Sequence, residues 1–423
     1  MQVVRNRNII KFGLYGFLKN LKFFEPFFYL YLLSIGLSYF QIGVILSVRE
    51  ITTYVCEIPT GVIADIWGRK RAMLLCFVFY NVSFIGYYLA GTFWILIPAS
   101  VVFGIGEAFR LGTHKAIIFD YLDHRGITHL RTQVYGFTRA IAQLGAALSA
   151  IGAGSVVILT ENYRAGFLYS VIPYALAFGL VLSYPPLPHT AAVRGFSQLW
   201  QRLKNHLREG VINLRKIREL RLSLVNSAVY DGAFMAARDY IQPTIQLFVM
   251  GSIAAGTHEI TKPGNEIGDT VLISGFYLVA YLVSALSSQK SHIFKTVFGA
   301  SERALNILFL VNAATFLAVA VFADVNLVLV LLAFLTLFAF QNIRRPILLD
   351  YLAQHTEKTQ RATMLSIDSQ LRSMTVIVLA PVLGLIADFF SIQMMFFALT
   401  VLLFLLHFTV RMRHPDDRQR VAI

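Results

Sequence analysis

Gly61-Val-Ile-Ala-Asp65-Ile-Trp-Gly68-Arg69-Lys70-Arg71 joins two long apolar runs, and its reading decides the fold. Gly61 allows close approach of a neighbouring helix, and Gly68 permits a tight turn. Asp65 and Arg69 are spaced to pair across that turn. A merely basic loop accounts for Arg69, Lys70 and Arg71 but leaves the glycines and the aspartate without a reason.

Outward from this loop the chain is apolar almost end to end, as in Ala72–Ala90, Ala165–Tyr184, Asn306–Phe322 and Met394–Val410. A span needs about 20 mostly apolar residues. Of 423 residues 57% are apolar and 14% charged, against roughly 45–50% and 25% in soluble domains. In lipid every backbone polar group must be satisfied internally, so these runs read as helices. They are too long and continuous for the roughly 10-residue alternating strands of a barrel. The expected class is an all-α integral membrane protein.

The spacing predicts twelve transmembrane helices over residues 10–35, 39–64, 72–91, 94–121, 134–159, 165–184, 221–250, 269–289, 303–322, 327–352, 362–389 and 393–410. Arginine and lysine collect in alternate loops: Arg5 to Lys11, Arg69 to Arg71, Arg125 and Arg131, Arg194 to Arg218, Lys290 and Lys295, Lys358 and Arg361, and Arg411 to Arg420. The opposite loops hold chiefly Arg164 and Lys262. The positive-inside rule then puts both termini in the cytoplasm. That distribution also explains the formal charge of +14 without nucleic acid. Cys56 and Cys76 imply no disulfide framework. No small-residue cleavage site follows Arg5 and Arg7, so the first run reads as a mature helix and not a signal peptide.

Three prolines, Pro185, Pro186 and Pro188, end the sixth span. They divide the chain into residues 1–184, a cytoplasmic linker 185–219 and residues 220–423. Within the linker Leu199, Leu203, Leu207, Val211 and Leu214 recur at helical spacing among basic residues. The pattern suits either an amphipathic helix on the inner leaflet or an ordinary solvated linker. The two halves echo one another. Lys115-Ala-Ile-Ile-Phe-Asp120-Tyr-Leu ends the fourth span, and Arg345-Pro-Ile-Leu-Leu-Asp350-Tyr-Leu ends the tenth. Glu25-Pro26 and Gln242-Pro243 form a weaker pair. Six-helix repeats of this kind mark transporter folds with a midplane substrate site.

The Gly61–Arg71 loop resembles the signature of the major facilitator superfamily, Gly-x-x-x-Asp-x-x-Gly-Arg-Lys between the second and third spans. The resemblance implies two pseudo-symmetric six-helix bundles and places spans three, six, nine and twelve on the lipid side. It implies that Asp65 faces the N-terminal dipole of the eleventh span, bracing an outward-open state. The resemblance matches Arg110 to the arginine common in the family's fourth span. There are departures. The loop after the eighth span keeps Lys290, Lys295 and Gly299 but loses the aspartate, and the fifth span reads Gln143-Leu-Gly145-Ala-Ala-Leu148, without the Gly-Pro pair of the drug/proton antiporters. The chain is similar to a prokaryotic branch in a cytoplasmic (inner) membrane.

Ionisable residues inside spans are functional candidates by default. Spans three, six and nine carry none of Lys, Arg, Asp or Glu internally, and the twelfth has only His407. Lys19, Lys22, Arg49, Arg110, Arg238 and Asp239 are candidate substrate-binding groups. Glu25, Glu50, Glu107, His114 and Asp231 are candidate proton carriers, although a lone histidine such as His114 is more often a hydrogen-bonded structural residue. Gly61, Asp65, Gly68, Arg69, Lys115, Asp120, Arg345, Asp350, Asp368 and Arg372 are candidate gating positions. Lys19, Lys22 and Glu25 step by three and are expected on one helix face.

These features predict a secondary transporter that moves a small anionic or zwitterionic organic solute by alternating access, coupled to protons. Proton-driven drug efflux and lipid flipping are the alternatives on the same fold. An enzyme is disfavoured, because the sequence shows no phosphate loop, serine elbow or metal cluster; His124 and His129 have nothing to complete a metal set. No cofactor is implied. The expected partners are a small-molecule substrate, a coupling ion and the bilayer, with a monomer as the unit.

Overall fold

The computed structural model describes residues 6–185, 218–253, 267–356 and 361–412. Among them every regular element is a helix, and helical segments occupy all twelve expected spans. Nine helices among the described residues are long and apolar enough to cross a membrane. The first, second and seventh spans fall outside that group for visible reasons. The second, Tyr39–Trp67, carries Arg49, Glu50 and Glu57 along its length. The first and seventh are interrupted.

The first span is Arg7–Asn20, a 3-10 turn at Glu25–Phe27, and Phe28–Ser34. Pro26 lacks the N–H an uninterrupted helix needs, and it sits at the start of that turn, where the loss is tolerated. The seventh span is Arg218–Ala237, a 3-10 turn at Arg238–Tyr240, and Ile241–Ile253. Lys19, Lys22 and Glu25 therefore do not share a continuous face, as their spacing suggested. The fourth span, expected unbroken, divides into Phe93–Arg110 and Thr113–His124 around Gly112, whose φ of 74° is left-handed and cheap only for glycine.

The third, fifth and sixth spans are Arg69–Leu89, Arg131–Thr160 and Ala165–Leu182, and the eighth to twelfth are Ile267–Gln289, Ser301–Phe322, Leu327–Gln354, Arg361–Phe389 and Ile392–Val410. Sequence patterning also missed a short helix, Ser291–Phe298, after the eighth span. Its Phe294 and Phe298 pack on a core that includes Leu305, Leu308, Ile343, Ile347 and Met364. The middle-linker helix anticipated over 196–218 lies almost wholly outside the described residues.

Packing divides the chain into two compact units. One comprises Met1–Leu37, Val48–Leu199 and Thr257–Tyr281; the other comprises Ser38–Ser47, Trp200–Gly256 and Leu282–Ile423. Within the first, an aromatic core joins Phe24, Phe84, Tyr87, Phe167 and Tyr174 through ring contacts at 4.5–5.2 Å. A Cβ at Gly145 would stand 2.5 Å from the Phe17 carbonyl oxygen, so only glycine lets the fifth span approach the first this closely. In the second unit both carboxylate oxygens of Asp388 accept backbone N–H groups, from Tyr39 and Phe40, at 2.8 Å each. Spans three, six and twelve expose apolar side chains such as Val82, Ile85, Ile172, Leu176, Leu405 and Phe408. That is the surface a bilayer covers.

Candidate functional site

In-span ion pairs form one prominent cluster in each unit. In the first unit the fourth span presents Glu107 and Arg110 one turn apart at its lower break. Arg110 pairs with the Glu107 carboxylate through Nη2, and its Nε lies 3.2 Å from Glu107 Oε2. The third span adds Tyr80, whose hydroxyl donates to Glu107 Oε2 and accepts from Arg110 Nε at 3.3 Å. Each group is half-buried or buried, so the pair is screened less than a surface one.

Lys19 ends the first helical segment and feels the charges of Arg110, Lys22, Glu107 and Glu25. Its carbonyl accepts from the Tyr174 hydroxyl at 2.8 Å, which fixes the chain where the helix stops. Lys22 and Glu25 pair at 3.5 Å within the break. From the second span Arg49 lays its guanidinium over the Phe103 ring at 3.9 Å, with Phe28 at 5.2 Å on another side. Phe103 lies one turn from Glu107 and 5.2 Å from the Tyr80 ring, which ties Arg49 to the same cluster.

The cations Lys19, Lys22, Arg49 and Arg110 thus outnumber Glu25 and Glu107, and still do so with neighbouring Glu50 counted. A surplus of cation, walled by Tyr80, Phe28 and Phe103, can hold an organic anion by charge and by ring contact. His114 has a different setting. Its ring stacks on Tyr15 at 3.6 Å and meets the Tyr184 hydroxyl at 3.1 Å, the packing of a structural histidine.

The second unit holds a buried ion network. Asp231 of the seventh span receives Arg344 Nη1 at 3.3 Å, Arg345 Nη1 at 3.3 Å and Arg372 Nη1 at 3.9 Å. Arg345 also bridges to Asp368 at 2.6 Å. Arg344 donates to Asn226 Oδ1 at 2.6 Å and stacks over Tyr230 at 4.1 Å. Arg372 reaches Ser369 rather than Asp368, despite their four-residue spacing. Arg238 pairs with adjacent Asp239 at 3.4 Å and not with Asp231, because the turn at Arg238–Tyr240 interrupts the face.

Among the gating candidates, Arg69 bridges to Asp120 and stands 3.9 Å from Asp65. Gly68 has a φ of 97° and starts the third span. No described atom lies within 4 Å of a Cβ built at Gly61, so the close helix approach read there is not made. Lys115 makes no carboxylate bridge among the described residues; it lies 5.5 Å from the Phe119 ring and 5.4 Å from the Tyr135 ring. Asp350 is exposed and accepts from Gln354 at 3.0 Å. Sequence reasoning left Tyr80, Phe28, Phe103, Tyr230, Asn226 and Arg344 outside its candidate set. Charge was its filter, and most of these carry none. Arg344, beside Arg345, was open to the same filter.

A family model described as Major Facilitator Superfamily matches residues 20–294. The chain belongs to the major facilitator superfamily. Solved members of the fold match nearly end to end. A nucleoside transporter, NupG, superposes with a TM-score of 0.76 at 12% identity, over 96% of this chain and 98% of that one. A D-xylose–proton symporter gives 0.69 at 13% identity, over 94% and 95%. A human organic anion transporter gives 0.63 at 16% identity, over 96% and 99%. At these identities the likeness shows the fold alone. Superfamily membership makes the chain an integral membrane transport protein, and the two clusters are its candidate sites.

Proposed function

We propose that this protein is a secondary transporter of a small organic anion or zwitterion, bound at the Lys19–Arg49–Glu107–Arg110 cluster and moved with a proton by alternating access. The observation that carries the reading is the surplus of cation there, with Arg49 held between aromatic rings and not spent on a carboxylate among the described residues. An anionic substrate group would compete with Glu107 for Arg110. Loss of a neighbouring cation raises the proton affinity of a carboxylate, so substrate binding and protonation of Glu107 are linked. Tyr80, hydrogen-bonded to both, relays that competition. That one structural neighbour is an organic anion transporter is consistent with this class of cargo. The buried network around Asp231 serves as a rigid counterpart in the second half. The domain division 1–184, 185–219 and 220–423, a prokaryotic inner membrane, cytoplasmic termini and a monomeric unit complete the proposal.

A thermal-stability screen of purified protein against charged metabolites, drugs and lipids, with Arg110→Gln alongside, tests it. A ligand at 100 times its Kd stabilises the native state by about 2.7 kcal/mol. Hits among anions or zwitterions that vanish in the variant support the reading. Hits confined to apolar cations or lipids and indifferent to Arg110 would transfer it to drug efflux or flipping.

A further inference from the structure

A second polar recess lies in the second unit, lined by none of the charged residues of the Asp231 network. It is a cleft of about 360 Å³ between the start of the ninth span and the end of the twelfth. Its floor is buried: His407 is 5% exposed, Met412 3% and Asn306 9%. Asn306 is already spent, donating to the Met412 carbonyl at 2.7 Å and accepting from its N–H at 3.0 Å, which pins the chain as it leaves the twelfth span. His407 is not spent. Its Nδ1 is buried and has no hydrogen-bond partner among the described residues.

Two exposed arginines, Arg303 and Arg411, stand on the rim, and neither makes an ion pair among the described residues. Neighbouring Glu302 does not line the cleft. The wall beside them is apolar: Ile307 and Leu310 line the cleft and remain 38% and 36% exposed. An occupant that satisfies every part of this recess is amphiphilic, with a compact anionic head and an apolar tail. A buried polar atom without a partner is costly, so His407 favours a head with a hydroxyl or phosphate oxygen.

We infer that this cleft is a binding site for the phosphate headgroup of an anionic phospholipid, held by Arg303 and Arg411 and contacted by His407, with an acyl chain along Ile307 and Leu310. Both arginines belong to the ends of spans that positive-inside charge assigns to the cytoplasmic leaflet, where anionic lipid and basic pockets meet. The site anchors the twelfth span to the ninth at the membrane surface and does not depend on which solute is transported.

Native mass spectrometry of the full chain, released from bilayers of phosphatidylglycerol and phosphatidylethanolamine, tests the assignment. Wild type is expected to retain phosphatidylglycerol preferentially. At about 1 kcal/mol for each basic residue near the surface, Arg303→Gln with Arg411→Gln should weaken retention about thirtyfold. His407→Phe keeps a ring in place and should weaken it about tenfold, the loss of one hydrogen bond to a charged group. Arg125→Gln, at an exposed arginine of the first unit that does not line the cleft, controls for the general positive charge and should change nothing. Equal retention of both lipids by wild type would overturn the proposal. So would retention unaffected by the paired arginine variant, or loss equal to that caused by Arg125→Gln. Displacement of the lipid by millimolar inorganic phosphate would reassign the cleft to a soluble anion.

Discussion

Arg344 and Asp231 are both buried, at 0% and 2% side-chain exposure, and bridge at 3.3 Å between the tenth and seventh spans. Removing one partner of such a pair strands the other charge in a low-dielectric interior, a loss of about 3–5 kcal/mol. Asp231→Ala is therefore expected to lower the unfolding temperature sharply in detergent. Replacing both, as Asp231→Leu with Arg344→Met, should recover most of that stability without recovering transport. A single variant as stable as wild type would show that the pair is solvated in the native protein.

Arg69 and Asp120 are about one-third exposed, so their bridge should contribute only about 0–1 kcal/mol to stability. Arg69→Gln is expected to leave the unfolding temperature nearly unchanged while slowing exchange in proteoliposomes. The charge swap Arg69→Asp with Asp120→Arg should restore part of the rate. A swap no better than either single variant would assign the two residues independent roles.

Arg49 meets its surroundings through a ring face as well as through charge. Lysine keeps the charge but not the planar stack. Arg49→Lys should weaken ligand binding modestly, about fivefold for a stacking loss near 1 kcal/mol. Arg49→Gln should weaken it further. Isothermal titration with the first ligand found checks both, and equal losses would remove the stacking contribution.

Glu107→Gln is expected to flatten the pH dependence of transport, because it removes the carboxylate that competes for Arg110. An unchanged pH profile in proteoliposomes would take Glu107 out of the coupling role.

Gly384 packs so closely on the second span that a Cβ would stand 2.2 Å from the Tyr39 carbonyl oxygen. Backbone cannot retreat as a side chain can, so Gly384→Ala should cost about 1–3 kcal/mol. Gly275, also helical, has open space at its Cβ. Gly275→Ala should be neutral or stabilise by up to about 1 kcal/mol. Thermal unfolding of the two variants side by side checks the contrast, and equal shifts would show that the Gly384 contact does not limit stability.

The positions of the spans were legible in the chain because apolar length and alternating loop charge are one-dimensional properties. So was the family, since Gly61 to Arg71 are contiguous and the Asp65–Arg69 spacing needs no partner elsewhere. Continuity of the helices was less so. The helix end at Asn20 and the turn at Arg238–Tyr240 arise from local backbone choices that periodicity averages over; the first separates Lys19 from Lys22, and the second takes Arg238 off the helical face of Asp231.

Which charge meets which was decided by tertiary structure alone. Arg372 passes over Asp368, four residues away, to join Asp231 from another span. Tyr80 enters the Glu107–Arg110 pair from a span with no charged residue beyond its first turn. The Arg303–Arg411 cleft draws its two cations from spans separated by more than a hundred residues. A sequence determines how each helix must lie with respect to lipid, because burial of backbone polar groups is a local requirement. Pairing of side chains depends on distances between helices, and those exist only once the helices have packed.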